Sequence, residues 1–283
     1  MARCRRRVGT VPTVTFSIVA RSDDGASWGV AVASKFLAVG AAVPAARAGL
    51  GAVATQAEAN VGWKRAALAL LGEGLPAGEV VRLLCGADDR AEHRQLGVVD
   101  ASGASATHTG GSCLDWAGGL ADRGVAIQGN ILAGPDVVTV MKSGWDAAAG
   151  RPLGRRLLTA LAAGDAAGGD RRGRQSAALY VVREGAGYGG LDDVAVDLRV
   201  DDHTEPIVEL ARLLDLNEFY LSAPADEDRV PIDESLAAEL DARARALGHA
   251  GFAAWVGTQN YEMRVADDSR WVDRQVLELL RQG

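Results

Sequence analysis

The sequence predicts a layered α+β fold, in which two β-sheets pack face to face and helices cover the outside. Strand-like runs occur in groups, and pairs of helical patterns separate these groups. Strands and helices grouped in this way are typical of layered α+β domains. With 283 residues, of which 48% are hydrophobic, the chain is long enough for one well-buried domain and a small appendage.

The elements follow from the period of the apolar residues, which is two in strands and between three and four in helices. Strands are predicted at 15–21, 28–34, 41–46, 50–56, 95–100, 104–109, 124–128, 175–183 and 194–200. Helices are predicted at 60–73, 77–85, 135–149, 152–163 and 205–220. A hairpin therefore opens the chain and a helix closes the main domain.

The first hairpin determines which residues face each other at one end of a sheet. If Asp24 and Gly25 form a two-residue loop, position 23 pairs with position 26. Thr15 then lies across from Ser34, and Lys35 is next in line. The pattern predicts that a hydroxyl nucleophile and a cation share this end of the sheet.

Thr15 gains a catalytic use if it becomes the first residue of the chain. Residues 1–14 are interpreted as a non-native or disordered extension, because they combine a basic tract with Gly and Pro. If translation starts at Val14, read as methionine, removal of that methionine leaves Thr15 as the N-terminus. Its α-amine, a group whose pKa in peptides is about 7.7–8.0, can then take the proton of its own hydroxyl. Lys35 favours the neutral amine because like charges disfavour the charged form.

A secretory signal that ends near Ala20 is the other interpretation of this segment. Pro12, Thr13, Thr15 and Ser17 interrupt the continuous apolar core that such a signal requires. We therefore expect a cytoplasmic protein, with a secreted or wall-associated protein as the alternative. No segment approaches the roughly 18 apolar residues of a membrane span, so no membrane partner is expected.

Charge and cysteine content argue against several classes of partner and site. The net charge of −7 argues against a nucleic-acid-binding role. Cys4, Cys85 and Cys113 are an odd number at wide spacing, so neither a disulfide framework nor a zinc site is suggested. The four histidines show no metal-ligand spacing. No metal and no cofactor is expected.

Six long motifs lie at 15–20, 31–36, 51–56, 93–100, 128–132 and 168–176. Together they resemble a bacterial family catalogued as domain of unknown function 1028, which is itself similar to the N-terminal-nucleophile (Ntn) hydrolases. The resemblance covers about residues 15–220 and implies a four-layer αββα sandwich. It departs from the family's usual start, because Val14 stands where the family has methionine, so exposure of Thr15 depends on the true start.

Amide cleavage develops an oxyanion, which requires hydrogen-bond donors at a fixed place. Asn130 follows Gly129 at a strand end and is the first candidate, a role that the resemblance also implies; the alternative is a turn residue that bonds its own backbone. Backbone amides near Thr55 are a second candidate, with Gln56 and Asn60 orienting a substrate. The alternative for Gln56 is a buried amide that bonds across strands.

The segment 168–176 concentrates three arginines and an acid before an apolar strand. Arginines can bind a substrate carboxylate or phosphate in bidentate geometry, while the acid holds one of them in place. The alternative is a solvated loop that pairs with the acidic surface. The candidate substrate-binding residues of this segment are Asp170, Arg171, Arg174, Gln175 and Ser176, and the last three are expected to face the site.

After the main domain at 15–221, a polar linker at 222–231 leads to three short predicted helices at 232–283. This tail resembles a peptidoglycan-binding helical module that accompanies the family. Its Trp255, Tyr261 and Trp271 either stack on sugar or form the core of the small bundle.

The favoured function is an amidohydrolase with Thr15 as nucleophile, Lys35 as electrostatic tuner and Asn130 in the oxyanion hole. Its substrate is expected to be a small molecule or peptide-like amide. The alternative is a catalytically silent protein of the same fold that binds a small molecule or a cell-wall fragment. Peptidoglycan fragments at 232–283 and a homodimer are further expected partners.

Overall fold

The computed structural model describes residues 15–283. Val14 and the predicted extension at 1–14 lie outside the described residues. The chain divides into two compact units, the first ending at Arg212 and the second covering Leu213–Gly283. The fold is of the α+β class with antiparallel sheets, as the sequence predicts.

The elements of the first unit closely follow the predicted order. Its strands are β1 (Thr15–Arg21), β2 (Ser27–Ser34), β3 (Pro44–Arg47), β4 (Gly51–Ala57), β5 (Arg94–Asp100), β6 (Ser105–Thr109), β7 (Gly118–Asp122), β8 (Val125–Asn130), β9 (Ser176–Arg183) and β10 (Val194–Val200). Its helices are α1 (Val39–Ala42), α2 (Gly62–Gly72), α3 (Ala77–Gly86), α4 (Asp136–Ala147) and α5 (Leu153–Ala166), and α6 (Pro206–Leu221) runs across the division between the units.

Three of these elements, α1, β3 and β7, differ from the prediction. The strand expected at 41–46 begins only at Pro44, because residues 39–42 form α1, whose Val39 N–H donates to Ser176 Oγ at 3.1 Å. β7 was not predicted, because its sequence Gly-Gly-Leu-Ala-Asp contains no β-branched or aromatic residue. Pairing with β8 makes it a strand.

One sheet has six strands in the order β10-β9-β2-β1-β8-β7, and the other has four in the order β3-β4-β5-β6. The predicted register of the first hairpin is confirmed, because Phe16 pairs with Ala33. The loop is four residues long rather than two, since Ser22 N–H donates to Ser27 O at 2.9 Å. Both loop lengths give the same register.

The two faces of each sheet meet different neighbours. Val53, Leu96 and Val98 of the four-stranded sheet pack against Trp63 of α2 and Val80 of α3. On the six-stranded sheet, α5 packs against β1, β2 and β9, and α4 packs beside α5. These helices cover the faces of the sheets that point away from each other.

An apolar cluster fills one part of the space between the two sheets. Val19, Val30 and Val32 of the six-stranded sheet meet Ala52 and Ala54 of the four-stranded sheet there. Nearer the start of β1, polar side chains replace these apolar ones, as described below. The contact between the sheets is therefore apolar in one part and polar in another.

The second unit contains α7 (Glu234–Ala246), α8 (Phe252–Gln259) and α9 (Arg274–Gln282), which are the three helices predicted in the tail. A two-stranded sheet of β11 (Arg229–Pro231) and β12 (Trp271–Asp273) accompanies them and was not predicted. In residues 15–283, no helix combines the length and apolar character that crossing a membrane requires.

The two sheets approach each other closely at Gly97. A Cβ at this position would lie 2.2 Å from the Oε1 atom of Gln128, which belongs to the other sheet. Gln128 is buried and hydrogen-bonded to Ser17, so it cannot withdraw without losing these bonds. We expect Gly97→Ala to lower the free energy of unfolding by about 1–3 kcal/mol in urea denaturation.

Gly78 provides the matched control for this substitution. It lies in α3, and a Cβ there meets no atom within 4 Å. Gly78→Ala should raise the free energy of unfolding by about 0.5–1 kcal/mol through helix propensity. Equal effects of the two substitutions would contradict close contact at Gly97.

Glu239 makes the stability of the second unit dependent on pH. Hydrogen bonds from Arg281 and Arg243 lower the pKa of its carboxyl from 4.5 to about 2. A lowered folded-state pKa stabilises the fold above the unfolded pKa, and this contribution is lost as the pH falls toward 2. In melting experiments, we expect Glu239→Gln to be less stable than the parent at pH 7 and the difference to disappear near pH 2.

Glu227→Gln is the control for the effect of Glu239, because the Glu227 carboxylate makes no ion pair within residues 15–283. The difference in melting temperature between Glu227→Gln and the parent should therefore not change as the pH falls from 7 to 2. A constant offset for Glu239→Gln between pH 5 and pH 2 would contradict the assigned pairing.

Candidate functional site

Thr15 is the first residue of β1, and it lies between the ends of β2 and β8. Its side chain is completely buried, with 0% exposure. Its Oγ1 atom donates a hydrogen bond to Ser34 Oγ at 3.3 Å, and Asn130 is its partner residue on β8. The structure thus brings three predicted site residues together.

Gln56 connects the four-stranded sheet to Thr15. Its Nε2 atom lies 3.1 Å from the carbonyl oxygen of Thr15, 3.2 Å from that of Gln128 and 3.0 Å from Oε1 of Gln95. Its Oε1 atom accepts a hydrogen bond from Ser17 Oγ at 2.6 Å. Gln56 is therefore a buried amide that bonds across strands, as its alternative interpretation states, and it also holds the backbone of Thr15.

Gln95 extends this connection to Asn130. Its Oε1 atom accepts a hydrogen bond from Asn130 Nδ2 at 2.9 Å, and its own Nε2 donates to Gly129 O at 2.7 Å. Both side chains are buried. Asn130 bonds a side chain of the opposite sheet, and no hydrogen bond of its side chain to its own turn is found within the described residues.

We call the buried set Thr15, Ser17, Gln56, Gln95, Gln128 and Asn130 the carboxamide cluster. Ser17, Gln95 and Gln128 were not predicted as site residues. The available signal was a glutamine among apolar residues in each of two predicted strands, Gln95-Leu96-Gly97-Val98 and Ile127-Gln128-Gly129. A buried glutamine must find hydrogen-bond partners, so two of them on neighbouring sheets indicate a shared network.

Residues next to the carboxamide cluster have an unusual backbone. Ile131, which follows Asn130, has φ of 48°, and Ala57, which follows Gln56, has φ of 64°. The left-handed region is sterically unfavourable for residues with a Cβ and is a genuine outlier for a β-branched residue. Such outliers concentrate at functional sites, where surrounding contacts hold them. Here Ile131 N–H donates to Leu114 O, and its carbonyl accepts from Arg171 N–H.

Two of the predicted substrate-binding residues, Thr55 and Asn60, have side chains that lie away from Thr15. The neighbours of Thr55 on β4 show that its side chain occupies the face packed against α2 and α3, and within residues 15–283 its buried Oγ1 has no hydrogen-bond partner. Its backbone N–H donates to Val43 O at 3.3 Å. Asn60 lies at the start of α2, where its Nδ2 donates to Asp88 at 2.8 Å and its Oδ1 accepts from Gly62 N–H. The strand alternation places Gln56 inside and Thr55 outside.

Residues 170–175 cross the start of β1, and we call them the strap. Lys35 N–H, just after β2, donates to Asp170 Oδ2 at 2.7 Å, and Gln175 N–H donates to Ser34 O at 3.1 Å. On the other side, Arg171 N–H donates to Ile131 O at 3.1 Å, just after β8. Because β2 and β8 flank β1, the strap connects the two strand ends on either side of Thr15.

The side chain of Asp170 stabilises the strap through hydrogen bonds. Its carboxylate is buried and also accepts hydrogen bonds from the backbone and side chain of Arg172. Lys35, the predicted tuner, is exposed, and its Nζ donates to Arg174 O at 3.2 Å. Within residues 15–283 it makes no hydrogen bond to Thr15.

The side chains expected to face the site have other partners. Arg174 is paired with Asp165 at 2.9 Å and Glu205 at 2.9 Å, as the alternative of a solvated loop states. Gln175 donates to Asp202, and Ser176 Oγ bonds Phe36 O and the start of α1. The Arg171 guanidinium is exposed and makes no ion pair within the described residues.

In the tail, Trp255 and Tyr261 are buried in the core, with ring centroids 5.3 Å apart. Trp271 is half-buried beneath the Arg229 guanidinium. For Trp255 and Tyr261, the interpretation as a core therefore describes the structure better than sugar stacking. Among residues 15–283, no group of three or more His, Cys, Asp or Glu side chains is arranged to hold a metal ion.

Comparisons with known proteins give one family. Residues 15–210 match the model of a family described as a family of unknown function (DUF1028). The crystal structure of protein SPO2555 from Silicibacter pomeroyi, described as DUF1028, is 28% identical, with a TM-score of 0.66, and the match covers 75% of this chain and 91% of that chain. No curated protein matches. The predicted family is confirmed, whereas the likeness to Ntn hydrolases and to a peptidoglycan-binding module stays a prediction.

Gln56→Leu tests the carboxamide cluster, because leucine keeps the approximate volume and removes every hydrogen bond. Ser17 Oγ, Gln95 Oε1 and the Thr15 carbonyl would each lose a partner inside the protein. Unsatisfied buried groups cost about 1–3 kcal/mol each, and partial relaxation reduces the sum. We expect a loss of about 3 kcal/mol in the free energy of unfolding in urea.

Gln175→Leu is the matched control, because the Gln175 side chain is only partly buried and donates one hydrogen bond, to Asp202. Its expected effect is within about 0.5 kcal/mol. Similar effects of both substitutions would show that the network at Gln56 does not stabilise the contact between the sheets.

Proposed function

We propose that this chain, which belongs to the DUF1028 family of unknown function, is an amidohydrolase of the Ntn type with Thr15 as nucleophile. It cleaves an amide or peptide-like bond after the residues that precede Thr15 have been removed. The main domain then corresponds to a four-layer αββα sandwich.

The observation that carries this proposal is the surroundings of the Thr15 hydroxyl. Within residues 15–283, the one hydrogen bond of Oγ1 is to Ser34. No histidine, carboxylate or lysine of this part of the chain accepts its proton. A threonine needs a base to become a nucleophile, and the group that a chain starting at Thr15 supplies is its own α-amine.

The arrangement of the layers also supports the proposal. Helices α2 and α3 lie on the outer face of one sheet, and α4 and α5 lie on the outer side of the other. Thr15 begins a central strand of the six-stranded sheet, where its side chain points between the sheets together with Ser17. A first residue at this place has its α-amine at the end of β1, between β2 and β8.

Asn130 is positioned to donate a hydrogen bond to the oxyanion. It lies opposite Thr15 in the register, and Gln95 accepts a hydrogen bond from its Nδ2 atom. A carboxamide nitrogen carries two hydrogens, so the second can point to the substrate. Because Gln95 is fixed by Gln56 and by Gly129 O, the donor is preset rather than recruited during the reaction.

The chemical steps follow from these positions. Thr15 Oγ1 attacks the carbonyl carbon while the α-amine takes the hydroxyl proton. The C–N bond then breaks, the ammonium passes its proton to the leaving amine, and an ester remains on Thr15. Water attacks the ester with the same amine as base, which releases the carboxylic acid and restores the hydroxyl. The positive charge of Lys35 favours the neutral amine.

One observation favours the second candidate, a catalytically silent binding protein. The Thr15 side chain is completely buried in this chain. If the residues ahead of Thr15 are retained, there is no free α-amine, and the strap serves only to bind an anionic ligand.

A comparison of two chains tests the proposal. One is the full 283-residue chain, and in the other a single methionine replaces residues 1–14. We expect N-terminal sequencing of the second to give Thr15 and only this chain to hydrolyse a panel of N-acyl p-nitroanilides. Its kcat/KM should rise with pH to a plateau with a midpoint at or below about 8, the pKa of an α-amine.

Thr15→Ala should lower kcat/KM by at least about a thousandfold, whereas Thr15→Ser should retain measurable activity. Carbamoylation of the α-amine should abolish hydrolysis without changing the melting temperature. Unchanged activity in Thr15→Ala, or equal activity of the full chain, would contradict the proposal. A free Thr15 without any hydrolysis would favour the silent binding protein.

A further inference from the structure

A second candidate site lies in the first unit, away from Thr15. A groove of about 290 Å³ opens between β3, β9, β10, α1 and α2. This volume lies just below the range of ligand pockets, about 300–1,000 Å³. None of the residues that line it belongs to the carboxamide cluster or to the strap.

Small side chains form much of the wall of this groove. Gly40, Ala41, Ala45, Ala46 and Ala178 all line it. They leave open space beside the sheets and contribute little specific polar recognition. The polar character of the groove comes from four larger side chains, Lys64, Tyr180, Asp197 and Arg199.

Two cations, Lys64 and Arg199, lie at the end of the groove next to α1. The Lys64 Nζ atom donates a hydrogen bond to Ala41 O at 3.0 Å, and Lys64 makes no ion pair within the described residues. Burial lowers the pKa of Lys64, and the nearby Arg199 guanidinium lowers it further. Arg199 bonds Asp201 through Nε and Nη2, which leaves Nη1 available. An anion between the two cations would remove their repulsion.

The Asp197 carboxylate and the Tyr180 hydroxyl lie at the other end of the groove. Asp197 pairs directly with Tyr180 in the register of β9 and β10, two residues from Arg199 along β10. Two residues of a strand span about 7 Å. Neither the Asp197 carboxylate nor the Tyr180 hydroxyl makes a hydrogen bond in the part of the chain that the structure describes. The groove thus has a positive end and a negative end.

We propose that this groove binds a small molecule whose carboxylate or phosphate lies between Lys64 and Arg199 and whose opposite end donates a hydrogen bond to Asp197. Two positively charged donors suit an oxyanion, and charge-assisted hydrogen bonds are stronger than neutral ones. The Tyr180 hydroxyl adds a donor or an acceptor along the length of the ligand. The inference does not rest on hydrolysis by Thr15.

Titration of the full chain with three probes tests this proposal. Inorganic phosphate and pentanoate each supply the anion, and 5-aminopentanoate adds an ammonium at the other end. We expect all three to bind in calorimetric or NMR titrations, and 5-aminopentanoate to bind more tightly than pentanoate. Tighter binding of phosphate than of pentanoate would identify phosphate as the anion, and the reverse order would identify a carboxylate.

Titrations of four variants show whether the probes bind in this groove. Lys64→Met and Arg199→Gln should each weaken binding of phosphate and pentanoate by about tenfold or more, because each removes a charge-assisted hydrogen bond. Asp197→Asn should remove the advantage of 5-aminopentanoate over pentanoate and leave pentanoate binding intact. Arg65→Gln is the control, since Arg65 is exposed on the same helix as Lys64 and does not line the groove.

Melting curves show whether each variant is folded. Without ligand, we expect Lys64→Met to melt at the same temperature as the parent or higher, because it removes a half-buried charge close to another cation. Absence of binding by all three probes, equal affinity of Lys64→Met, Arg199→Gln and the parent, or an equal loss in Arg65→Gln would overturn the proposal.

Discussion

The hydrogen bonds of Gln56 are the constraint on which the organisation of this protein depends. One side chain of the four-stranded sheet bonds the backbone of Thr15 and of Gln128 in the six-stranded sheet. Apolar packing between sheets has no fixed direction, so it would permit one sheet to slide over the other. Directed bonds from a buried carboxamide fix their relative position, because an unsatisfied carboxamide in the interior is costly. The register of β1 and β8 places Asn130 opposite Thr15 within one sheet, and the alignment of the two sheets brings Gln95 to the Asn130 carboxamide.

The fold and the candidate chemistry use the same residues. Gln95 joins Gln56 to Asn130, so a contact that aligns two sheets also orients the carboxamide beside Thr15. The left-handed backbone at Ala57 and Ile131 occurs directly after two members of the carboxamide cluster. Strain of this kind persists only when surrounding contacts over-determine it. At Ile131, beside Thr15, hydrogen bonds with Leu114 and Arg171 supply such contacts.

Local sequence patterns predicted most of the fold. The parts that were not predicted depend on contacts between residues that are distant in the sequence. The Asp24-Gly25 turn was sufficient to predict the register of the first hairpin, and hence the pairing of Thr15 with Ser34. The residues of the strap could be found as a charged segment, but the partners of Arg174 are Asp165 and Glu205, and only the folded chain brings Glu205 near. Gln95 and Gln128 were missed because the sequence shows a glutamine inside each apolar strand but does not show that these two strands face each other. The family was predicted from its motifs, whereas a reaction must be argued from the site itself.

The backbone of the strap keeps its position whichever side chain is exposed at Arg171. It is attached through backbone amides of Lys35, Arg171 and Gln175 and through the buried carboxylate of Asp170. The guanidinium of Arg171 takes no part in this attachment. Mutations that exchange this side chain for a neutral, acidic or aromatic one can therefore accumulate on an unchanged backbone beside Thr15. Such a loop is evolvable, because its exposed side chain can change one substitution at a time while the scaffold retains its stability.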